Sequence, residues 1–512
     1  MAAFSKDLCL GLDCGTGGAR ALLTDLSGRV LAVASSDYPT TYPHPGWAVQ
    51  RPADWWRAGC MAVRRAVAQA DIDPARIVAI CADGTSSTLV PLDEALQPLG
   101  EAILWMDNRA SLQAQLMEKS AHPALRRSLA GVSAETALPK ILWLKNHAPE
   151  IYATTRWFVE MTDYMALCLS GRLTLGLNHI TNRWFYHPRE GGWPLDFLDM
   201  IGLEHITDRF PASLPALGEP IGPLTTAAAA ALGLKPETLV VAGGTDAYVA
   251  MVGLNTLRPG ETALITGTSH LVLPVIAEDI EVKGLFGPHP DCVVKNTFVM
   301  EGGQVSSGGI LRWWHDLLYE EGCDYEAMLA EAKQVPPGAN GLVALDFWQG
   351  NRNPYTDYDL QGAIWGLTLK HGRADITRAL MESVALGTAN IIGRLREHAV
   401  RLETMTVAGG ILRSPFWTQM HADATKMTLR IPEIGEAAAF GAAISAAVGA
   451  GLYASLPDAA DAMVKIKLEL PPNPQMHLVF QEQLKIYLET YEALRPLMHR
   501  QAGYRRMCLT SP

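Results

Sequence analysis

Apolar runs alternate with polar turns along this chain, and the alternation predicts strands followed by helices. The segment LCLGLDCGTGGARALLTDLSGRV at residues 8–30 predicts two apolar strands that are joined by a glycine-rich turn, with Asp13 near the end of the first strand. A similar pair of strands surrounds Gly267 and Thr268 within residues 261–275. Because the hairpin recurs in mid-chain, we expect a duplicated α/β unit with one hairpin in each half.

Helices are predicted between these strands. Residues 52–70 form an amphipathic pattern, and the residues that share its apolar face are Trp56, Cys60, Val63 and Val67. Strands within 76–87, 237–253 and 405–424 end in glycine or aspartate residues. Since ligands bind at the carboxyl ends of parallel strands, these ends are candidate site positions.

The length of 512 residues predicts more than one domain. The duplication places a boundary near residue 255. We therefore expect an N-terminal domain at 1–254, a C-terminal domain at 255–490, and a final helix end and tail at 491–512.

Composition narrows the class of partner. The chain has 42 basic and 53 acidic residues and a net charge of −11, which argues against nucleic acid or an anionic membrane as the main partner. Residues 437–456 carry no charge, but they are mostly alanine and glycine, so a buried helix is favoured over a membrane span. The start MAAFSKD lacks the apolar core of a signal peptide, and the eight cysteines form no CxxC pair. These features predict a cytoplasmic protein.

The common catalytic motifs are missing from the sequence. It contains no GxxxxGK[ST], no GxGxxG after the first strand, no HExxH and no GxSxG. The two glycine-threonine hairpins could instead bind phosphate oxygens through backbone N–H groups, and Asp13 could hold Mg²⁺ through water. Each hairpin taken alone is better explained as an ordinary turn, but the two hairpins together with the Gly-Gly turns at 243–244 and 409–410 favour phosphate binding.

The chain resembles the FGGY family of carbohydrate kinases, which belongs to a larger group with actin and the Hsp70 ATPase. The segment GAIWGLTLKHGRADITRALMES at 362–383 fits the C-terminal signature of that family, and KILWLKNH at 140–147 fits half of the N-terminal one. Glu135 and Ala137 depart from that signature. The resemblance covers about residues 8–490. It implies an α/β fold of two ribonuclease-H-like domains around a central cleft.

The resemblance also implies the roles of individual residues. Asp246 would be the catalytic base, and Asp13 would organise Mg²⁺. The residues implied at ATP and its phosphates are Gly15, Thr16, Arg20, Gly267, Thr268, Gly308, Gly410 and Ser414. The residues implied at the sugar, besides Asp246, are Asp83, Thr85, Ser86, Arg183 and Glu301.

The position of Asp246 supports its role independently, because a carboxylate at a strand end can accept a hydroxyl proton during phosphoryl transfer. The alternative is that Asp246 only caps the following helix. Ser414 is expected to cap a helix that begins at Pro415. Trp105 and Trp184 could pack on a sugar or lie in the core, and His270 is expected to be a packed residue.

The expected activity is ATP-dependent phosphorylation of a ketopentose, ribulose or xylulose, at its terminal hydroxyl, with ATP and Mg²⁺ as cofactors. A tetritol, another polyol or a ketohexose is the alternative substrate. An ATPase of the actin or Hsp70 type that acts on a protein partner is the alternative of a different class. The oligomeric state is left open, with a homodimer as one alternative.

Overall fold

The computed structural model describes residues 7–128, 130–318 and 325–510. In these ranges the strands are β1 (Leu8–Cys14), β2 (Gly18–Asp25), β3 (Val30–Asp37), β4 (Val49–Gln50), β5 (Ile77–Gly84), β6 (Leu89–Leu92), β7 (Ala102–Ile103), β8 (Trp157–Glu160), β9 (Pro220–Pro223), β10 (Leu239–Val241), β11 (Glu261–Thr266), β12 (His270–Ile276), β13 (Phe286–Pro290), β14 (Phe298–Gln304), β15 (Val343–Leu345), β16 (Ala363–Trp365), β17 (Thr404–Gly409), β18 (Thr428–Pro432) and β19 (Ile466–Leu470). The α-helices are α1 (Pro52–Ala70), α2 (Ser111–Lys119), α3 (Ala137–His147), α4 (Pro149–Thr154), α5 (Met161–Ser170), α6 (Leu177–Arg183), α7 (Leu195–Met200), α8 (Thr226–Leu232), α9 (Asp246–Gly253), α10 (Gly308–Leu318), α11 (Tyr325–Lys333), α12 (Arg373–Glu397), α13 (Pro415–Thr425), α14 (Ala437–Gly449), α15 (Leu456–Met463) and α16 (Pro474–Thr510).

The first large sheet is built from the N-terminal half and has the strand order β3-β2-β1-β5-β10-β9. Strands β1, β5 and β10 are parallel, while β2 and β3 continue from β1 as an antiparallel meander. Parallel strands end at the same edge of a sheet, so Asp13 on β1 lies directly beside Asp83 on β5.

The second large sheet repeats this plan. Its strand order is β13-β14-β12-β11-β17-β18-β19. Strands β11, β17 and β18 are parallel. On the other side of β11, its hairpin partner β12 pairs antiparallel with it, and β14 pairs antiparallel with β12. Each sheet therefore has a hairpin at its centre, followed by parallel strands on one side, and the predicted duplication of the α/β unit is confirmed.

Helices α9 and α14 lie between the two sheets. One apolar cluster contains both helices together with residues of β1 and β5 from the first sheet and of β11 and β12 from the second. The contact between the helices is backbone to backbone: a Cβ built on Gly441 would lie 2.0 Å from the Val249 carbonyl oxygen, and one built on Gly253 would lie 2.1 Å from the Ala437 carbonyl oxygen. The glycines thus allow a close approach that joins the two halves of the chain.

The uncharged run at 437–456 begins with α14, which is buried along most of its length. Among the described residues, no helix combines the length and the apolar character that crossing a bilayer requires.

Helix α1 has the predicted bounds, but its buried face differs from the predicted one. Trp55, Ala62, Val63 and Ala66 are fully buried, whereas the other three predicted face residues are only partly buried. The predicted face was therefore wrong by about one residue around the helix.

A four-stranded antiparallel sheet, β4-β7-β6-β8, is inserted in the N-terminal half. It adjoins residues 85–88, which join β5 to β6, and residues 105–110, which follow β7. Helices α3 and α6 pack against the same region through a shared apolar cluster.

Candidate active site

The turn between β1 and β2 is held by a hydrogen bond of its own and by side-chain donors from elsewhere in the chain. The Gly15 N–H donates to the Gly18 carbonyl across the turn at 3.1 Å. The Gln50 side-chain amide donates to the Thr16 carbonyl at 2.7 Å, and the Trp105 Nε1–H donates to Thr16 Oγ1 at 3.1 Å. Since Trp105 occupies a lone pair of the hydroxyl oxygen, the hydroxyl hydrogen of Thr16 remains free to donate to an incoming anion.

Three carboxylates gather beside this turn: Asp13, Asp83 and Asp246. Burial raises the pKa of Asp83 well above its ordinary value, and the charges of Asp13 and Asp246 add to this effect. Burial and the charge of Asp13 likewise raise the pKa of the half-buried Asp246 to about 7. Arg20 offsets only part of the negative charge, because its Nη1 lies 3.6 Å from Asp13 Oδ2 and closer, at 2.9 Å, to Glu436 Oε2.

This cluster fits a hydrated divalent cation. Among the described residues, neither of the two buried carboxylate oxygens of Asp83 has a hydrogen-bond partner. Asp13 is partly exposed, so water molecules between it and a metal ion can be accommodated. Burial is the main cause of the raised pKa values of these three carboxyl groups, and a nearby cation would offset it by favouring their charged forms. The donor set is hard oxygen, which is the set that Mg²⁺ prefers.

The second hairpin, between β11 and β12, is closed by a hydrogen bond from the Gly267 N–H to the Ser269 carbonyl at 2.8 Å. The start of α10 packs directly on it. The Gly309 N–H donates to the Thr268 carbonyl at 3.1 Å, and a Cβ built on Gly308 would lie 2.4 Å from the Gly267 carbonyl oxygen. Only glycine at position 308 lets the helix lie this close to the turn.

The turn after β17 leaves open space at one position. A Cβ built on Gly410 would meet no atom within 4 Å, although the preceding strand is tightly packed. Ser414 caps α13 as predicted, since its Oγ accepts a hydrogen bond from the Trp417 N–H at 3.3 Å. The roles of Gly410 and Ser414 at a nucleotide stay predictions.

The expected sugar residues Ser86, Arg183 and Glu301 form a second cluster across the two halves of the chain. Arg183 lies at the end of α6, and its Nη2 donates to Glu301 Oε2 on β14 at 2.6 Å. Its Nε donates to Ser86 Oγ at 3.1 Å. The geometry fixes the guanidinium plane between a carboxylate and a hydroxyl.

Two residues that sequence reasoning missed complete this cluster. The Tyr248 hydroxyl donates to Glu301 Oε2 at 2.8 Å, and Arg352 Nη2 donates to Glu301 Oε1 at 3.2 Å. Tyr248 follows Asp246 by two positions, which was a usable signal, whereas nothing around Arg352 marked it in the sequence. Burial acts to raise the pKa of Glu301, but the two arginines hold it at about 2.

A cavity adjoins this cluster and is lined in part by Glu135, Arg183, His289 and Arg352. Glu135 belongs to the segment that departs from the family signature. Its Oε2 lies 3.8 Å from Arg352 Nη2, so the departure falls beside the cluster rather than far from it.

Other expected site residues lie apart from these clusters. The Thr85 hydroxyl is buried and pairs with Thr88 Oγ1 at 2.7 Å. Trp184 is fully buried, which confirms its interpretation as a core residue. His270 is packed against Trp417 and His421, as expected, and burial lowers its pKa well below the usual value.

Asp246 is the first residue of α9 rather than its cap. The preceding Thr245 occupies the cap position and makes no side-chain capping bond. Asp246 Oδ1 accepts the Ala247 N–H at 2.7 Å, which leaves its second oxygen without a bond from the helix. The carboxylate is thus oriented by the helix start and can accept a proton.

Comparison with known proteins agrees with this architecture. Residues 8–253 match the model of the FGGY family of carbohydrate kinases, N-terminal domain, and residues 262–450 match the model of its C-terminal domain. A ribulokinase of Geobacillus thermodenitrificans is 30% identical over 536 aligned positions, covering 95% of this chain and 94% of the relative. A xylulose kinase of Staphylococcus epidermidis is 26% identical, covering 96% and 98%.

The crystal structure of xylulose kinase from Rhodospirillum rubrum superimposes with a TM-score of 0.86 at 26% identity, covering 96% of this chain and all of that one. With the repeated sheet plan, this likeness confirms the expected fold of two ribonuclease-H-like α/β domains.

Proposed function

Because the chain belongs to the FGGY family of carbohydrate kinases and is therefore a sugar kinase, we propose that it transfers the terminal phosphoryl group of ATP to the terminal hydroxyl of a ketopentose. The observation that carries the proposal is Asp246: a half-buried carboxylate, with a pKa near 7, which interacts electrostatically with both Asp13 and Arg183. Asp246 is therefore close enough to the carboxylate beside the β1–β2 turn and to the arginine of the Arg183–Glu301 cluster to feel the charge of both.

Asp246 acts as the general base. Its carboxylate accepts the proton of the sugar hydroxyl while the hydroxyl oxygen bonds to phosphorus and the bond from phosphorus to the ADP oxygen breaks. A base whose pKa lies near the working pH combines a useful fraction of the ionised form with adequate basicity. Arg183 holds the sugar by donating to its oxygen atoms, and Glu301 fixes the direction of that arginine.

Mg²⁺ bound with ATP supplies positive charge that neutralises the phosphate oxygens. Asp13 would hold this ion through water, with Asp83 beside it. The turns at Thr16 and at Gly267 donate to phosphate oxygens, and the open space at Gly410 leaves room for the nucleotide. Arg20 contributes charge beside the first turn.

The choice of a ketopentose rests on named relatives and on the chemistry of the cluster. The relatives described above carry the names ribulokinase and xylulose kinase. Arg183 is a strong donor, so it suits the acceptor oxygens of a small polyhydroxylated substrate such as a ketose. A tetritol, another polyol or a ketohexose is the alternative. We propose the cytoplasm, where ATP is abundant, as the location of the reaction.

The test is the Asp246→Asn variant, assayed for ADP release with a panel of pentuloses, pentitols, tetritols and hexuloses. Asparagine keeps the size of the side chain but cannot serve as the base, so turnover of the preferred sugar should fall at least ~10²-fold. The melting temperature should stay the same or rise, because the ionised carboxylate is disfavoured by burial and by Asp13.

Asp458→Asn is the matched control, since Asp458 also lies in the first turn of a helix but is exposed, and its carboxylate accepts a hydrogen bond from the Ser455 hydroxyl. It should turn over within about twofold of the parent. A stable Asp246→Asn variant that retains turnover within a few-fold would refute the base. A parent protein that responds to hexuloses or tetritols, but not to pentuloses, would refute the substrate class.

A further inference from the structure

A lysine in the core connects the two loops that carry the sugar side. Lys140 lies in α3 and has no exposed surface. Its ammonium group donates to the Ser87 carbonyl at 2.6 Å and to the Leu104 carbonyl at 2.7 Å. Ser87 follows Ser86, and Leu104 precedes Trp105, so one side chain fixes the backbone of both loops.

A buried glutamate, Glu160, binds the backbone N–H of Ser87, whose carbonyl is bound by Lys140. Glu160 Oε2 accepts the Ser87 N–H at 2.9 Å, while Glu160 Oε1 accepts the Trp184 Nε1–H at 2.6 Å. Trp184 directly follows Arg183. The glutamate therefore connects the loop that carries Ser86 to the helix end that carries Arg183.

Ser87 needs such support because of its backbone conformation. Its φ of 54° lies in the left-handed region, which residues with a Cβ adopt at a cost. The N–H of Ser87 is bound by a carboxylate and its carbonyl by an ammonium group. Hydrogen bonds to charged groups are about twice as strong as neutral ones, so the pair can hold this conformation.

We propose that Lys140 and Glu160 are positioning residues, which hold Ser87 from both sides and thereby place Ser86 and Arg183 for binding of the sugar. The proposal rests on the proposed function, because it requires that Ser86 and Arg183 face the substrate. Neither Lys140 nor Glu160 touches the sugar in this arrangement, since both are buried beneath the loops.

Electrostatics supports a role beyond packing. Burial lowers the pKa of Lys140 to about 7, while Asp107 and Glu160 act in the opposite direction and favour the charged form. A buried charge of this kind costs folding free energy, and an apolar side chain of similar volume would often be more stable. A role in positioning the loops accounts for a charged side chain at this buried place.

The experiment compares Lys140→Met and Glu160→Gln with Lys145→Met as the control. Lys145 lies on the same helix but is partly exposed and bonds away from the sugar loops, to the Gly202 carbonyl. We expect the KM for the preferred pentulose to rise at least ~10-fold in Lys140→Met and several-fold in Glu160→Gln, where the amide can keep one of two acceptor contacts. The KM for ATP should stay within about twofold in both.

A second readout does not depend on the identity of the sugar. Hydrogen exchange of the amides at 85–88 should be faster in both variants than in the control.

In addition, Ser87→Gly removes the cost of the left-handed conformation, so Lys140→Met should raise the sugar KM less in the Ser87→Gly background than in the parent. A role in stability alone predicts no such coupling between the two substitutions.

The outcomes distinguish a failure of the proposed function from a failure of the positioning role. If no sugar of the panel drives turnover of the parent, the proposed function fails, and exchange at 85–88 still decides whether Lys140 and Glu160 hold the loop. If the parent turns over a pentulose and both variants match the Lys145→Met control in sugar KM, the positioning role is overturned. Equal rises in the KM for sugar and for ATP would overturn it as well.

Discussion

The contact between α9 and α14 makes a sharp prediction about stability. A Cβ on Gly441 would lie 2.0 Å from the Val249 carbonyl oxygen and 2.9 Å from the Gly253 nitrogen. Real Cβ atoms essentially never approach another atom within 3.0 Å, so Gly441→Ala must part the two helices by about 1 Å at this point. Both obstacles are backbone atoms, which cannot rotate away as a flexible side chain can.

The size of the effect follows from a comparison with Gly393, which lies within α12 and would place its Cβ in open space. In both helices an alanine gains ~1 kcal/mol of helix propensity over glycine. Since this gain is common to both variants, the difference between them measures the cost of the clash, which is ~1–3 kcal/mol for overpacking. Gly393→Ala should be more stable than the parent, and Gly441→Ala should be less stable than Gly393→Ala by that amount.

The assay is urea unfolding followed by circular dichroism, with the midpoint and the slope fitted for each variant. Because the two helices lie between the two sheets, Gly441→Ala should also lower kcat/KM at urea concentrations well below its unfolding midpoint, where the variant is still folded. Gly393→Ala should not lower kcat/KM under these conditions. Equal stability of the two variants would refute the close backbone contact. Lower stability with unchanged kcat/KM would show that the spacing of the sheets does not control the site.

Three further perturbations test other parts of the site. Glu301→Gln should lower the stability by ~3–5 kcal/mol at pH 7, because it removes the buried negative charge that faces two arginines. A carboxylate with a depressed pKa stabilises the fold above its ordinary pKa of 4.5, and this contribution is lost as the pH falls towards about 2. The difference in melting temperature between parent and variant should therefore shrink over that range. A difference that is constant with pH would contradict the assigned pKa. Gly410→Val should leave the melting temperature nearly unchanged, since the space is open, but should raise the KM for ATP at least ~10-fold if the nucleotide lies there; an unchanged KM would remove Gly410 from the site. Trp105→Phe removes the hydrogen bond to Thr16 and should raise the KM for ATP about fivefold, the equivalent of ~1 kcal/mol, whereas a larger change in the sugar KM would place Trp105 at the sugar instead.

The sequence was most informative where the signal is local. The two hairpins and the bounds of α1 follow from the alternation of apolar and polar residues over short windows. The buried face of α1 did not follow, because it contains Ala58, Ala62 and Ala66, whose small side chains give little hydrophobic signal but allow the helix to lie close to the sheet. The larger residues that marked the predicted face lie at its margin.

The site was predictable only in part for a related reason. Asp13 and Asp83 stand at strand ends, and parallel pairing brings such ends together. The partners of Glu301 come from separate segments: Arg183 from a helix end, Tyr248 from α9 and Arg352 from a loop after β15. Their proximity depends on how the two halves pack, and no pattern within a short window encodes that packing.

The position of α14 also bears on how this protein is made. The helix packs on β1 through Gly11, where a Cβ would lie 1.8 Å from the Ala439 carbonyl oxygen, yet the two segments are far apart in the chain. On the ribosome, the first sheet is complete once β10 has emerged, but its apolar face lacks this cover until residues through Gly449 have followed. At ~5–20 residues per second, that interval is on the order of 10–40 s. During it the nascent chain exposes an apolar sheet face, so we expect a fragment that ends near residue 254 to aggregate or to require a chaperone, and supplying the C-terminal half in trans to restore its solubility.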